Sequence, residues 1–500
     1  MKSVYDAACL FWSRYPALAH GLAILIGCWT ALEWHWSALL PILGLLLSTR
    51  PRQTTLLIIL GLTTYTYCTT RFELPNLPDQ GIAGTASIAI TRISQSSTFI
   101  GSGWVLKGQL HHFNGPLQIR GGHFKLSIPG NWQQPLPDLN YNYILKGQLY
   151  SLGHGHYSLK VSKNTPWIKN GTNINLTNWR YRVKKTFSDY LRQQFQNPKV
   201  SAFLIGLTTG EFSDPQTQNA LAKLGVQHLL AISGFHFALF AGLLSISLRM
   251  LFSRRQACIL LTLILAFYFT FLGYGPSIAR AWLMITLALT AELLELPYKG
   301  LNSLGIALIA LLIWDPLSAL EAGFQLSFLA TAAILLLYPL VDQGLQQLLP
   351  KRPLSGLAEM KPWDQHAYLV LSLFRQAAAL ILSVHLAVVP VCLYLFHTYP
   401  LIGLVTNLFY PFFAGLSLTW LAFTIPLQTL IPPLGPWMHA INQRFTEALL
   451  NLAYDFPPKL QLPLQFDSLT SWMVLLYLTA LLASNILIHH YRQENPLAFT

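Results

Sequence analysis

"HLLAISGFHFALFAG", residues 228–242, is an apolar run broken in its middle. Leu, Ile, Ala and Phe fill most of it, yet His228, Ser233, Gly234 and His236 stand inside. A Ser-Gly pair weakens a helix, because glycine pays a large backbone entropy and serine competes for backbone hydrogen bonds. Non-helical backbone at membrane depth survives only where protein buries it or where it lines a wet cavity. Two readings follow. The polar residues line a path through a bilayer, or the histidines bond neighbouring carbonyls inside a helix bundle.

The surroundings favour hydrocarbon. Of the 500 residues, 53% are hydrophobic and 10% charged, against about 25% charged in a soluble protein. Stretches long enough to cross about 30 Å of hydrocarbon recur, which implies a polytopic α-helical membrane protein. Spans are expected at 17–32, 36–48 and 54–70, then at 225–251, 257–274, 276–296, 301–314, 318–340, 367–396, 401–424, 434–455 and 469–488, about twelve in all. Cys9, Cys28, Cys68, Cys258 and Cys392 sit in or beside apolar segments without motif partners, so neither a disulfide framework nor a metal site is expected. The apolar run from Pro16 reads as a retained span rather than a signal peptide.

Charge is unevenly placed. Between Arg71 and Val200 stand fifteen Lys or Arg against four acids, a net +11 out of +13 for the chain. Arg50-Pro51-Arg52 joins the second and third spans, and short basic connections stay in the cytoplasm. Residues 71–200 are therefore expected outside. Within them, alternating runs such as "GWVLKGQL", "HFKLSI" and "YNYILKGQLY" separated by Gly, Pro and Asn predict a small antiparallel barrel or sandwich. "NWRYRVKKTFSDYLRQQF" (178–195) repeats Trp179, Val183, Phe187 and Leu191 every fourth residue and predicts an amphipathic interfacial helix. The expected division is 1–70 N-terminal helices, 71–175 external OB-like β domain, 176–200 interfacial helix and 201–500 membrane channel domain.

Cations neutralise phosphates and aromatic faces stack bases, the pairing that single-strand binders use. The candidate DNA-binding residues are Lys107, Arg120, Lys125, Lys146, Lys160 and Lys163, then Arg180, Arg182, Lys184 and Lys185, with Trp104 and Trp132 as stacking rings. On an ordinary barrel the same aromatics form the core. In the membrane block, Arg280 follows a Gly-Pro break in "GYGPSIARAWLMI", and is either a polar-path residue or an interfacial anchor. In "WDPLSALEAGFQLSFLA", Asp315 and Pro316 read as a helix start. Glu321 and Gln325, four apart, share a face, and Ser327 follows. His385 and Asn407 complete the pathway candidates, and Pro390 is expected to kink its helix.

Enzymatic readings find little. "HGHYSL" (154–159) offers HxH without the acid and histidine that a binuclear hydrolase needs, and reads as strand or turn. No Gly-Lys dipeptide occurs, so a phosphate-binding loop is absent, and GxSxG is absent too.

The segment GVQHLLAISGFHFALFAGLL (225–244) resembles the hallmark run of the ComEC competence-protein family. GPSIARAWLMI, DPLSALEAGFQLSFLATAAI and HLAVVPVCLYLFHTYPLIGLVTNLFYPFFAG resemble three further family segments in the expected order, over roughly 200–455. The resemblance implies a channel in the bacterial inner membrane that passes one strand of transforming DNA, received by an OB-like external domain. His228, Ser233, Gly234 and His236 fall on the hallmark, Arg280 on the second segment, and Gln325 and Ser327 on the third. It further implies membrane lipids, an external DNA receptor, a separate nuclease and a cytoplasmic translocase or DNA-binding protein as partners, with no cofactor. Many relatives carry a C-terminal metallo-β-lactamase-like domain; no HxHxDH occurs here, and the chain is expected to be a non-enzymatic short form. A small-molecule or ion transporter with broken helices is the alternative, and a membrane-embedded hydrolase using Ser233 a lesser one.

Overall fold

The interruption in the opening stretch is real. In the computed structural model Gln227–Leu229 forms a single 3-10 turn, and a helix is described from Gly234 onward. The structure describes all residues except 1, 34–38, 76, 99–100, 130–131, 133–135, 154, 163, 173–175, 213, 231–233, 353–359 and 495–500. Ser233 and Lys163 therefore lie outside the described residues.

Four helices open the chain: α1 (Lys2–Arg14), α2 (Pro16–Leu32), α3 (Leu39–Leu47) and α4 (Pro51–Arg71). A β domain follows, then α5 (Thr177–Gln194), α6 (Pro198–Thr209) and α7 (Pro215–Lys223). The membrane block continues with α8 (Gly234–Leu251), α9 (Arg254–Leu272), α10 (Pro276–Leu293), α11 (Gly300–Trp314) and α12 (Ala322–Gln346). It ends with α13 (Pro362–Phe396), α14 (Gly403–Leu430), α15 (Leu434–Tyr454) and α16 (Ser471–Glu494). Each of the twelve expected apolar segments carries a helix. Among the described residues five of them, α9, α12, α13, α14 and α16, are by length and composition able to cross a membrane. The pair α1 and α2, bent by 94° at a short break, raises this to six, and α8 and α11 contribute shorter apolar helices. The chain is a multi-pass helical membrane protein. Two expected spans begin differently: 225–251 opens with the Gln227–Leu229 3-10 turn, and 318–340 starts at Ala322, because Pro316–Leu320 is a separate 3-10 turn.

The β domain is a closed five-stranded barrel. Its strands are β1 (Ile82–Thr98), β2 (Gly101–Asn114), β4 (His123–Pro129), β5 (Tyr141–Gly153) and β6 (His156–Lys160). They pair in the circular order β1-β2-β4-β6-β5 and back to β1. All pairs are antiparallel except β4 with β6, which is parallel, giving the OB-like arrangement. Two short strands, β3 (Ile119–Arg120) and β7 (Ile168–Thr172), add to β2 and β5. Alternation turns Leu106, Leu110, Phe113, Phe124, Leu126 and Leu159 inward, each at most 2% exposed. Burying a large apolar side chain contributes about 1.5–3 kcal/mol, which fixes the register and with it what faces outward.

The N-terminal helices are not a separate unit. Apolar residues of α2 and α4 share a core with α11, and the Trp29 indole donates to the Ala319 carbonyl at 3.0 Å. Ala319 belongs to the 315–321 connection between α11 and α12, on which the barrel rests.

Candidate nucleic-acid interface and membrane pathway

With the apolar residues of β2, β4 and β6 inside, their alternates form one outer face. Cross-strand register sets Lys107 opposite Lys125, and Lys125 opposite Ser158. A neighbouring row runs Gln109, His123, His156, and Arg92 on β1 lies opposite Lys107. Arg92, Lys107 and Lys125 thus concentrate positive charge on one patch. The Lys107 ammonium is held below the ordinary lysine value, first by desolvation and then by Arg92 and Lys125, with Glu321 opposing. Lys146 and Lys160 flank an open cleft of about 690 Å³ floored by Gly84 and Gly147. Lys160 also lies over the Tyr150 ring at 4.3 Å. Arg120 is exposed on β3.

The aromatics are less available. Phe113, Phe124, Tyr143 and Tyr157 are core, and Trp104 and Trp132 pack against that core. Trp104 also meets Tyr181 of α5 edge-on at 6.4 Å. The face therefore offers charge to a phosphate chain and few free rings to its bases.

Helix α5 is wedged between barrel and membrane block rather than laid on lipid alone. Its Thr177 hydroxyl donates to the Thr91 carbonyl, and Trp179 meets Phe267 of α9 at 5.7 Å. Arg182 and Lys185 are exposed, and Arg180 lies against Gly273 at the end of α9. Lys184 is taken out of the interface. It is 5% exposed, donates to the Leu272 carbonyl at 2.9 Å and pairs with Glu211 at 3.4 Å. Desolvation pulls its ammonium down to about 8, against the attraction of Glu211. The four-residue repeat of Trp179, Val183, Phe187 and Leu191 had left it among the candidate DNA contacts; burial by α9 overrides that pattern.

The barrel meets the membrane block through side chains that the sequence does not announce. His123 Nε2 lies 3.1 Å from Asp315 Oδ2, and His156 Nε2 lies 3.8 Å from Glu321 Oε1. The two imidazoles stack at 5.2 Å. Asp315 also accepts from the Ser318 hydroxyl at 3.1 Å. Burial opposes the charge on His123, but the hydrogen bond and charge of Asp315 prevail and hold it above the ordinary imidazole value. Burial pushes Asp315 up and His123 more than reverses this, so its carboxyl is lowered. Glu321 is raised, chiefly by burial. Arg92 adds a further tie, donating to the Gly210 carbonyl at 2.8 Å. Glu321 is thus the residue before α12, turned to the barrel, while Gln325 turns back to donate to the Ala319 carbonyl at 2.9 Å.

In the membrane block the four motif segments converge. Gly225, at φ +71°, packs on Gly403: a Cβ on Gly225 would come within 2.8 Å of the Gly403 Cα. Asn407 ties the same turn, donating to the Gly403 carbonyl at 2.7 Å and the Gly225 carbonyl at 3.3 Å. Gly234 lies against the Arg280 guanidinium, leaving no room for a side chain. Arg280 in turn donates to the Ser327 carbonyl and the Thr331 hydroxyl of α12. His228 feels the charge of His385, and His236 that of His228, so three histidines from two segments are neighbours. His236 is 1% exposed. His385 Nδ1 bonds the Ile381 carbonyl at 2.7 Å, while its buried Nε2 has no hydrogen-bond partner among the described residues. Among those residues no group of three or more His, Cys, Asp or Glu is arranged to hold a metal.

Sequence comparison covers the same segments. Over 220 residues the chain is 32% identical to ComE operon protein 3 of Bacillus subtilis (strain 168). That stretch is 43% of this chain and spans 25% of the relative's length. No solved structure matches. A sequence model of the competence-protein family matches residues 207–490, which takes in α8 to α16 and every motif that meets around Gly234 and Arg280. With more than half of its length inside that match, the chain belongs to the ComEC competence-protein family.

Proposed function

We propose that this protein conducts single-stranded DNA through the bacterial inner membrane during natural transformation. Membership of the competence family supports a role in DNA uptake. The observation that carries the finer reading is the cationic outer face of β2 and β4, with Arg92, Lys107 and Lys125, placed directly over the connection into α12. A strand held there by its phosphates stands at the entrance to the membrane block. The site gathered around Gly234, Arg280 and the three histidines then offers polar groups inside hydrocarbon, the arrangement expected of a pathway rather than of an idle bundle. In this reading residues 71–200 face outward. The protein performs no bond cleavage itself. An external receptor, a separate nuclease and a cytoplasmic translocase or DNA-binding protein act with it.

The test uses the full chain in lipid nanodiscs, titrated with single- and double-stranded DNA across a salt series. Binding that prefers single strands, with log K falling linearly in log salt, is expected. Lys107→Gln with Lys125→Gln removes two phosphate contacts and flattens that slope by about 1.4, since each contact contributes about 0.7 on a single strand. No binding at low salt, or an unchanged slope, removes the barrel as receiver.

A further inference from the structure

The barrel face that carries Lys107 and Lys125 also carries two histidines, and acids of the membrane block meet both. His123 and His156 are opposite one another in the parallel β4–β6 pair, and their rings stack at 24°. Asp315 and Glu321 bracket a 3-10 turn whose Leu317 packs beneath Gly155 of the barrel. All four side chains are shielded, none more than 33% exposed. Among the described residues, the charged groups around them are Lys107, flanked by Arg92 and Lys125. The Tyr274 hydroxyl bonds Ser318 at 3.1 Å, and the Cys28 thiol below senses Asp315. His154 lies outside the described residues.

We propose that His123 and His156, set against Asp315 and Glu321, form a proton-sensitive latch that docks the cationic barrel face on the membrane block. With the imidazoles protonated, the contacts are charge-assisted. Once they are neutral, two partly desolvated carboxylates remain side by side with Lys107 facing them among the described residues, and the docking loosens. The sign follows from the shifts. His123 lies above its ordinary value, so its contribution is complete below about pH 6.5 and is lost as pH rises through the raised value. Asp315 lies below its ordinary value, so its contribution is complete above about pH 3.8 and is lost as pH falls through the lowered value. The latch is strongest between these limits. What it regulates rests on the reading of this face as the receiver of a strand: docked, the two carboxylates compete with phosphates for Lys107. The latch itself needs no nucleic acid.

Hydrogen exchange on the full chain in nanodiscs tests it, read from pH 5.5 to 8.5 after correction for intrinsic rates. Protection of the 315–321 amides falls with rising pH, by at most about tenfold per pH unit for each linked proton. His123→Gln with His156→Gln gives low, flat protection, and Glu321→Gln, which leaves the barrel untouched, flattens part of the profile. Amides of the β1–β5 pair in the same data report whether the barrel is still folded. Constant wild-type protection overturns the latch, as does a wild-type profile in the double variant with its barrel intact. Strand binding on the same samples separates the two ideas. A pH-dependent profile without binding keeps the latch and removes the receiver, and a flat profile removes the latch whatever binds.

Discussion

The guanidinium of Arg280 reaches α12 at two points, the Ser327 carbonyl and the Thr331 hydroxyl. Both bonds come from one nitrogen, Nη1, while Nη2 lies against Gly234, so a lysine there would have a single compact ammonium for the two sides. Arg280→Lys is therefore expected to lower stability by about 1–3 kcal/mol, the cost of leaving a buried acceptor unmatched, which thermal unfolding in detergent measures. Single residues also show where sequence reasoning stops. Gly234, Arg280 and Ser327 stand out in the chain because polar or flexible residues inside apolar runs are conspicuous one at a time. That they touch depends on how three helices pack, and no local pattern encodes it. His123 gave no sign at all, since "HFKLSIP" reads as a strand whichever residue leads it. Its chemistry appears only when Asp315, 192 residues away, is brought against it. Trp104 and Trp132 carried two readings from the start, and both pack, partly buried, against the barrel core.

Among the elements, α5 has the clearest pH signature. Its buried Lys184 titrates at about 8 in the folded protein and near 10.5 when exposed. A lowered lysine value means the unfolded chain binds more protons between those limits, so stability rises with pH from about 8 to 10.5. Lys184→Met abolishes that rise, and unfolding curves at pH 7, 9 and 10.5 compare the two proteins directly. The four-residue repeat of Trp179, Val183, Phe187 and Leu191 was enough to read α5 as a helix. It could not tell which face was covered, because a barrel above and α9 beside it bury a second stripe through Lys184 and Ser188. Asp315-Pro316 likewise marked a true start, but of a 3-10 turn, with the carboxylate spent on His123 and Ser318. The barrel strands were legible because period-two alternation survives in a small closed sheet. Their circular order was not, since the β4–β6 parallel pair joins strands separated by all of β5.

For the whole molecule, the N-terminal helices and the membrane block behave as one body. Leu304, Leu308 and Leu311 of α11 share an apolar core with Ile24 and Cys28 of α2. A protease site inserted after Gln80, in the linker before β1, should yield two pieces that stay together through membrane extraction. Co-purification of the 1–80 piece with a tag on the remainder checks this; separation would mean that the linker, not packing, joins them.

The barrel is joined to the helical block through α4 at one end and α5 at the other, and meets it a third time on the 315–321 connection. Three supports restrain a domain in more directions than two. A domain on two flexible stalks could nod and swivel; a tripod can do neither while all three feet are planted. The orientation in which any cargo meets the bundle is then set by carpentry rather than by diffusion, and lifting one foot restores a single axis of tilt.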